Sequence, residues 1–130
     1  MVNQVEDNLV VVKEVQKFDS YEADLLITDG EHELLCYYDT YPPIKEIKIG
    51  TLVTEISSFF AKDIMRTKQK FFISKEDDYY SYSLCGELIQ IDKPIVKIFN
   101  FNVVLDAKIP NDIRLGEFIE FKVQRLEVSI

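Results

Sequence analysis

Two groups of tyrosines and one run of cations are the residues whose types and spacing could do chemistry in this chain. Tyr37, Tyr38 and Tyr41 stand just before Pro42-Pro43, and Tyr79, Tyr80 and Tyr82 follow Glu76-Asp77-Asp78 in the stretch EDDYYSYS. Tyrosine offers a large, rigid surface with a polar tip, so tyrosines beside carboxylates suit recognition of a protein partner. The expected contact residues are Tyr37, Tyr38, Tyr41, Asp77, Asp78, Tyr79, Tyr80 and Tyr82. The same pattern is also what alternating strand residues and a loop edge produce.

The cations are Lys62, Arg66, Lys68, Lys70 and Lys75, set against Asp63 alone. Phe71 lies among them, and Phe59, Phe60 and Phe72 flank or join the stretch. Cations that hold phosphates beside rings that stack bases are what a single-strand nucleic-acid groove requires. A solvated segment whose phenylalanines anchor in the core accounts for the same residues. The chain as a whole opposes a polyanion: 15 Lys and Arg against 23 Asp and Glu leave a net charge of −8, which repels phosphate at long range. Glu76, Asp77 and Asp78 abut the basic run and offset it further.

Catalytic chemistry has little to work with. His32 is the one histidine, and without a partner motif it reads as a strand or turn residue. Cys36 and Cys85 are too far apart in sequence for CxxC metal or redox chemistry, and read as buried, reduced thiols. No glycine-rich phosphate loop is present, no ligand spacing for zinc surrounds His32, and nothing selects a catalytic pair from the carboxylates. The expectation is therefore no catalytic residue, no metal and no cofactor. No apolar run approaches the roughly 20 residues needed to cross a bilayer. The start, MVNQVEDN, lacks the basic and apolar regions of a secretory leader, so a cytoplasmic protein is expected.

Strands must position these groups. The chain holds 12 Val, 15 Ile, 5 Thr, 7 Tyr and 9 Phe, all of which favour pleated, half-buried surfaces. Alanine, the best helix former, occurs only at Ala23, Ala61 and Ala107. Asp29-Gly30 predicts a two-residue hairpin turn that pairs Ile27 with His32 and Leu25 with Leu34. That hairpin puts Ala23, Leu25, Ile27, Leu34 and Cys36 on one face. Phe99, Phe101, Val103 and Leu105 share one parity and predict a strand over 95–107, after a strand over 82–91 and a turn at Pro94. From Ile119 the apolar positions alternate to Val123 and change phase at Leu126, which predicts a bulge near Gln124-Arg125. Phe60 with Ile64, and Ala61 with Met65, are at helical spacing, so a short helix is expected near 57–69, with a strand running through Phe60 as the competing reading.

Ile47-Lys48-Ile49-Gly50-Thr51-Leu52-Val53 echoes Ile113-Arg114-Leu115-Gly116-Glu117-Phe118-Ile119. In both, an apolar pair is expected to plug one end of the sheet and glycine to supply a turn. A duplication over about 18–60 and 80–130 and convergence on one loop-to-strand solution both explain the echo. The Ile-x-x-Gly-x-x-Ile step resembles the start of a strand in oligonucleotide-binding barrels, whose five strands with a helix after the third suit a helix at 57–69. The expected architecture is one mainly-β domain over 1–130, an antiparallel barrel of OB-like kind or a sandwich, with one short helix. The expected function is non-catalytic binding of a protein partner, for which the chain's charge favours a basic one, by an acidic, tyrosine-bearing surface, with immunity- or inhibitor-like action as one concrete form. The alternative is a single-strand nucleic-acid module using Lys62 to Lys75.

Overall fold

A computed structural model describes residues 9–130; the amino-terminal stretch read above as unlike a leader lies outside the described residues. Eleven strands follow one another: β1 Val11–Lys17, β2 Glu22–Thr28, β3 Glu33–Asp39, β4 Glu55–Phe59, β5 Lys62–Arg66, β6 Phe72–Lys75, β7 Tyr82–Gln90, β8 Ile95–Ile98, β9 Phe101–Val104, β10 Phe118–Val123 and β11 Arg125–Ser129. They form one sheet in the order β1-β2-β3-β11-β4-β9-β8-β7-β10-β5, with β6 added beside β7. Pairing is antiparallel except at β3–β11 and β4–β9, where parallel contacts join three antiparallel blocks of the sheet. The sheet does not close on itself, since β1 and β5 are its ends. It folds over in the manner of a sandwich, and the OB-like barrel is not formed.

The alternation expected of the sequence is what builds the core. Ala23, Leu25, Ile27, Leu34, Cys36, Phe101 and Leu126 are all fully buried, and one cluster joins them to Ile98, Ile119 and Phe121. The phase change near Gln124 is present: β10 pairs with β7 and β5, the chain breaks at Gln124, and β11 pairs with β4 and β3. One continuous run thus serves two regions of the sheet, keeping Val123 and Leu126 both inside.

Three local expectations are corrected. No helix forms over 57–69; the segment is β4, a turn and β5. Ile56 and Ser58 point inward from β4, and the backbone finds partners in β9 and β11 instead of its own next turn. The competing strand reading through Phe60 was the nearer one. The β2–β3 register is also longer by two residues: Leu25 lies opposite Cys36 and Ile27 opposite Leu34. The reason is Asp29, whose carboxylate accepts the N–H groups of Glu31 (2.9 Å) and His32 (2.7 Å) and so widens the loop. Because the slip is even, every side chain keeps its predicted face. Finally, 95–107 is not one strand but the hairpin β8–β9, with Ile98 opposite Phe101 and Phe99 at a φ of 53° in the turn.

The echoed glycine steps make the same bonds. Gly50 N–H donates to Val12 O (2.7 Å) and Val12 N–H to Thr51 O (2.9 Å); Gly116 N–H donates to Leu88 O (2.9 Å) and Leu88 N–H to Glu117 O (3.0 Å). Both glycines have positive φ, 94° and 87°. The expected plug is only half formed: Ile47 and Ile113 turn inward, while Ile49 and Leu115 face solvent.

Candidate partner-binding face

The outward residues of β2 and β3 set the foundation. Alternation turns Glu22, Asp24 and Leu26 away from the core, with Tyr37 directly opposite Asp24. Yet Asp24 is only 2% exposed, because the β6–β7 connection lies over it. Tyr79 Oη donates to Asp24 Oδ2 and Tyr80 Oη to Asp24 Oδ1, each at 2.6 Å. Both oxygens of a buried carboxylate are thereby satisfied, which burial of a charge demands. Tyr37 donates to Glu22, and its ring meets Tyr80 edge-on at 6.2 Å. Tyr79 and Tyr80 meet edge-on at 4.7 Å. The Arg125 guanidinium sits 4.4 Å from the Tyr37 ring and 4.5 Å from the Phe59 ring, held by Glu127 at 2.6 Å.

The expected tyrosines divide. Tyr37, Tyr79 and Tyr80 converge as described, with exposed Asp77 and Asp78 on the same connection. Tyr79 keeps about half of its surface in solvent. Tyr82 is a core residue whose hydroxyl accepts the Leu35 N–H at 2.8 Å, so its ring is not part of the exposed face. Tyr38 packs against the core. Tyr41, 89% exposed, stacks on Tyr21 at 6.2 Å away from the other rings. Asp24, Glu22 and Arg125 were not singled out from sequence. A lone carboxylate between Ala23 and Leu25 on a strand is the one signal that marked Asp24.

Environment holds these phenols protonated. The hydrogen bond to Glu22, with some burial, pushes Tyr37 up to about 12. Burial and then the bond to Asp24 raise Tyr80, and the Asp24 bond raises Tyr79. At neutral pH the tyrosines are donors, not bases. The thiols are no more reactive: burial and then Asp24 raise Cys36, and burial followed by Glu120 pushes Cys85 up to about 11. Both cysteines are free and buried, which withholds the thiolate that reacts.

The basic run is split by the topology. β5 and β6 lie on opposite sides of the β10–β7 pair, so residues 67–71 must cross that pair as a strap. Cys85 lies beneath it, its Sγ 3.8 Å from Gln69 O. Arg66 pairs with Asp112 (3.2 Å) and Glu117 (3.3 Å). Lys75 turns onto the carbonyls of Asp78 and Ser81 and lies over the Tyr82 ring. Lys62 is exposed on β5, and Lys68 and Lys70 are exposed on the strap. Phe71 packs 5.4 Å from Phe99 and 5.1 Å from Phe118, with Lys97 over its ring. His32 lies in the β2–β3 loop, stacked 3.6 Å from Phe99.

No family model, curated protein or solved structure matches this chain. Among the described residues no helix is long and apolar enough to cross a membrane.

Proposed function

We propose that this is a cytosolic, non-catalytic binding protein whose acidic tyrosine face, built on Tyr37, Asp77, Asp78, Tyr79 and Tyr80, recognises a basic protein partner. The observation that carries this is the anchoring of Tyr79 and Tyr80 on buried Asp24. A ring fixed before contact loses little side-chain entropy on binding, and Tyr79 is fixed while still half exposed beside the exposed Asp77 and Asp78. The net charge of −8 speeds encounter with a cationic surface. An inhibitor-like action against such a surface is the concrete form it takes.

An amide-resolved NMR titration with an oligolysine peptide tests the location. Shifts concentrated at residues 76–80 and 37–39, and lost together in Tyr79→Ala with Asp77→Asn and Asp78→Asn, are the expected result. Shifts spread evenly over all acidic residues would remove the face from consideration. The nucleic-acid reading keeps one supporting observation, the Phe71, Phe99 and Phe118 rings with Lys97 over Phe71 and with Lys68 and Lys70 lining one cleft with Phe118. Polarisation with mixed single-stranded oligonucleotides at low salt decides it, since phosphate contacts are strongest there.

A further inference from the structure

Lys62 on β5 and Lys122 on β10 lie directly opposite each other across the two strands. Residues so paired point to the same face, and like charges there destabilise a sheet. A purely structural position would be expected to carry an acid on one strand. Neither lysine has a carboxylate within ion-pair distance among the described residues. Both line one cleft of about 490 Å³, together with Phe60, Ser81 and Gln124, a volume within the range of small-ligand sites.

Two further features make the cleft more than a pair of surface cations. Its rim carries Phe60, a bulky residue at a φ of 58°, a conformation that costs free energy outside glycine. The Asp106 carboxylate holds that turn by accepting the Phe60 N–H at 2.7 Å and the Ala61 N–H at 2.9 Å, and the ring is left 63% exposed. Glu76, Asp77 and Asp78 line the same cleft. Glu76 is engaged by the Ser83 hydroxyl and Asp78 by Ser81 and the Tyr79 N–H, so Asp77 is the one carboxylate of the three with no partner among the described residues. Opposite charges thus line one cleft, and no ion pair joins them among the described residues.

We infer that this cleft binds a small zwitterion, its anionic group between Lys62 and Lys122, its ammonium toward Asp77, and an apolar part against Phe60. A plain anion meets repulsion from the carboxylates of the cleft, and a plain cation meets the lysine pair. The anionic group is a carboxylate or a phosphate, both of which a lysine pair accepts. This site shares Asp77 and Asp78 with the tyrosine face but none of its rings, and the lysine substitutions below leave that face intact.

The test is an amide-resolved NMR titration of the whole chain with glycyl-phenylalanine, its N-acetyl and C-amide forms, phosphoethanolamine and inorganic phosphate. Either zwitterion should shift Lys62, Asp77 and Lys122, and glycyl-phenylalanine, which alone carries a ring, should shift Phe60 as well. Each blocked dipeptide should bind about tenfold more weakly or worse, the loss of one charged hydrogen bond. Lys122→Gln should abolish binding and raise the midpoint of thermal unfolding, because it relieves the repulsion; Lys62→Gln should do the same. Absence of shifts at these residues with both zwitterions would overturn the site. So would blocked forms or inorganic phosphate binding as tightly as the zwitterions, or both lysine variants melting lower than the parent.

Discussion

Single carboxylates hold the parts of this fold that have no strand partner. Asp106 accepts from Ser58 Oγ at 2.7 Å as well as from Phe60 and Ala61, and Asp29 accepts from Glu31, His32 and, across to the β8–β9 turn, Asn100 at 3.3 Å. For both, partial burial pushes the carboxyl up, but the donated hydrogen bonds outweigh it and hold the group below its ordinary value. A carboxyl with a depressed folded pKa contributes stability that is fully present above its unfolded value and is lost as pH falls through the folded one. Stability measured by urea unfolding should therefore fall as pH drops below about 4, the unfolded carboxyl range, and the fall should be shallower in Asp29→Asn and Asp106→Asn. Asp24→Ala leaves two tyrosine hydroxyls without their acceptor and should cost about 2–3 kcal/mol in the same assay. The turn at Asp29 was legible in sequence, since two of its donors stand two and three positions on; its bond to Asn100 and the roles of Asp24 and Asp106 were not, because those partners come from 45 to 71 positions away. The parity of Leu25, Phe101 and Leu126 was legible, because strand alternation is local and each buried face repeats it.

Elements were legible where pattern alone decides and illegible where a neighbour does. The break at Gln124 showed in sequence as a change of phase. The β8–β9 hairpin did not, since Phe99 in its turn carries no glycine or asparagine signal for a positive φ. The helix expected at 57–69 failed for the same reason: i,i+4 spacing in a short segment is weaker than the backbone partners that β9 and β11 supply. The two glycine steps offer a direct test of their equivalence. A Cβ at Gly50 or at Gly116 meets no atom within 4 Å, so alanine at either site should cost only the strain of its left-handed backbone, about 1–2 kcal/mol and similar at both. Gly86 is different in kind. Its Cβ would lie 2.2 Å from Lys97 O and 2.7 Å from an Ile98 carbon, so Gly86→Ala must push β7 and β8 apart. It should cost about 2–4 kcal/mol, more than either turn glycine.

At the scale of the whole molecule, tyrosines tie one region of the sheet to another. Tyr79, Tyr80 and Tyr82 all reach from one short segment to β2 or β3. The same contacts fix Tyr79 next to Asp77 and Asp78 on an anionic exterior. Sequence placed these residues near one another along the chain, but only the folded sheet separates buried Tyr82 and the Tyr21–Tyr41 stack from the ring that faces a partner. The most direct test of that account is the association rate with an oligolysine peptide, followed by stopped-flow fluorescence as ionic strength rises. The rate should fall steeply with salt, and the dependence should flatten in the double variant Asp77→Lys, Asp78→Lys more than in a double charge reversal at Glu14 and Glu31. A rate indifferent to salt, or equal flattening in the two double variants, would contradict recognition by this face.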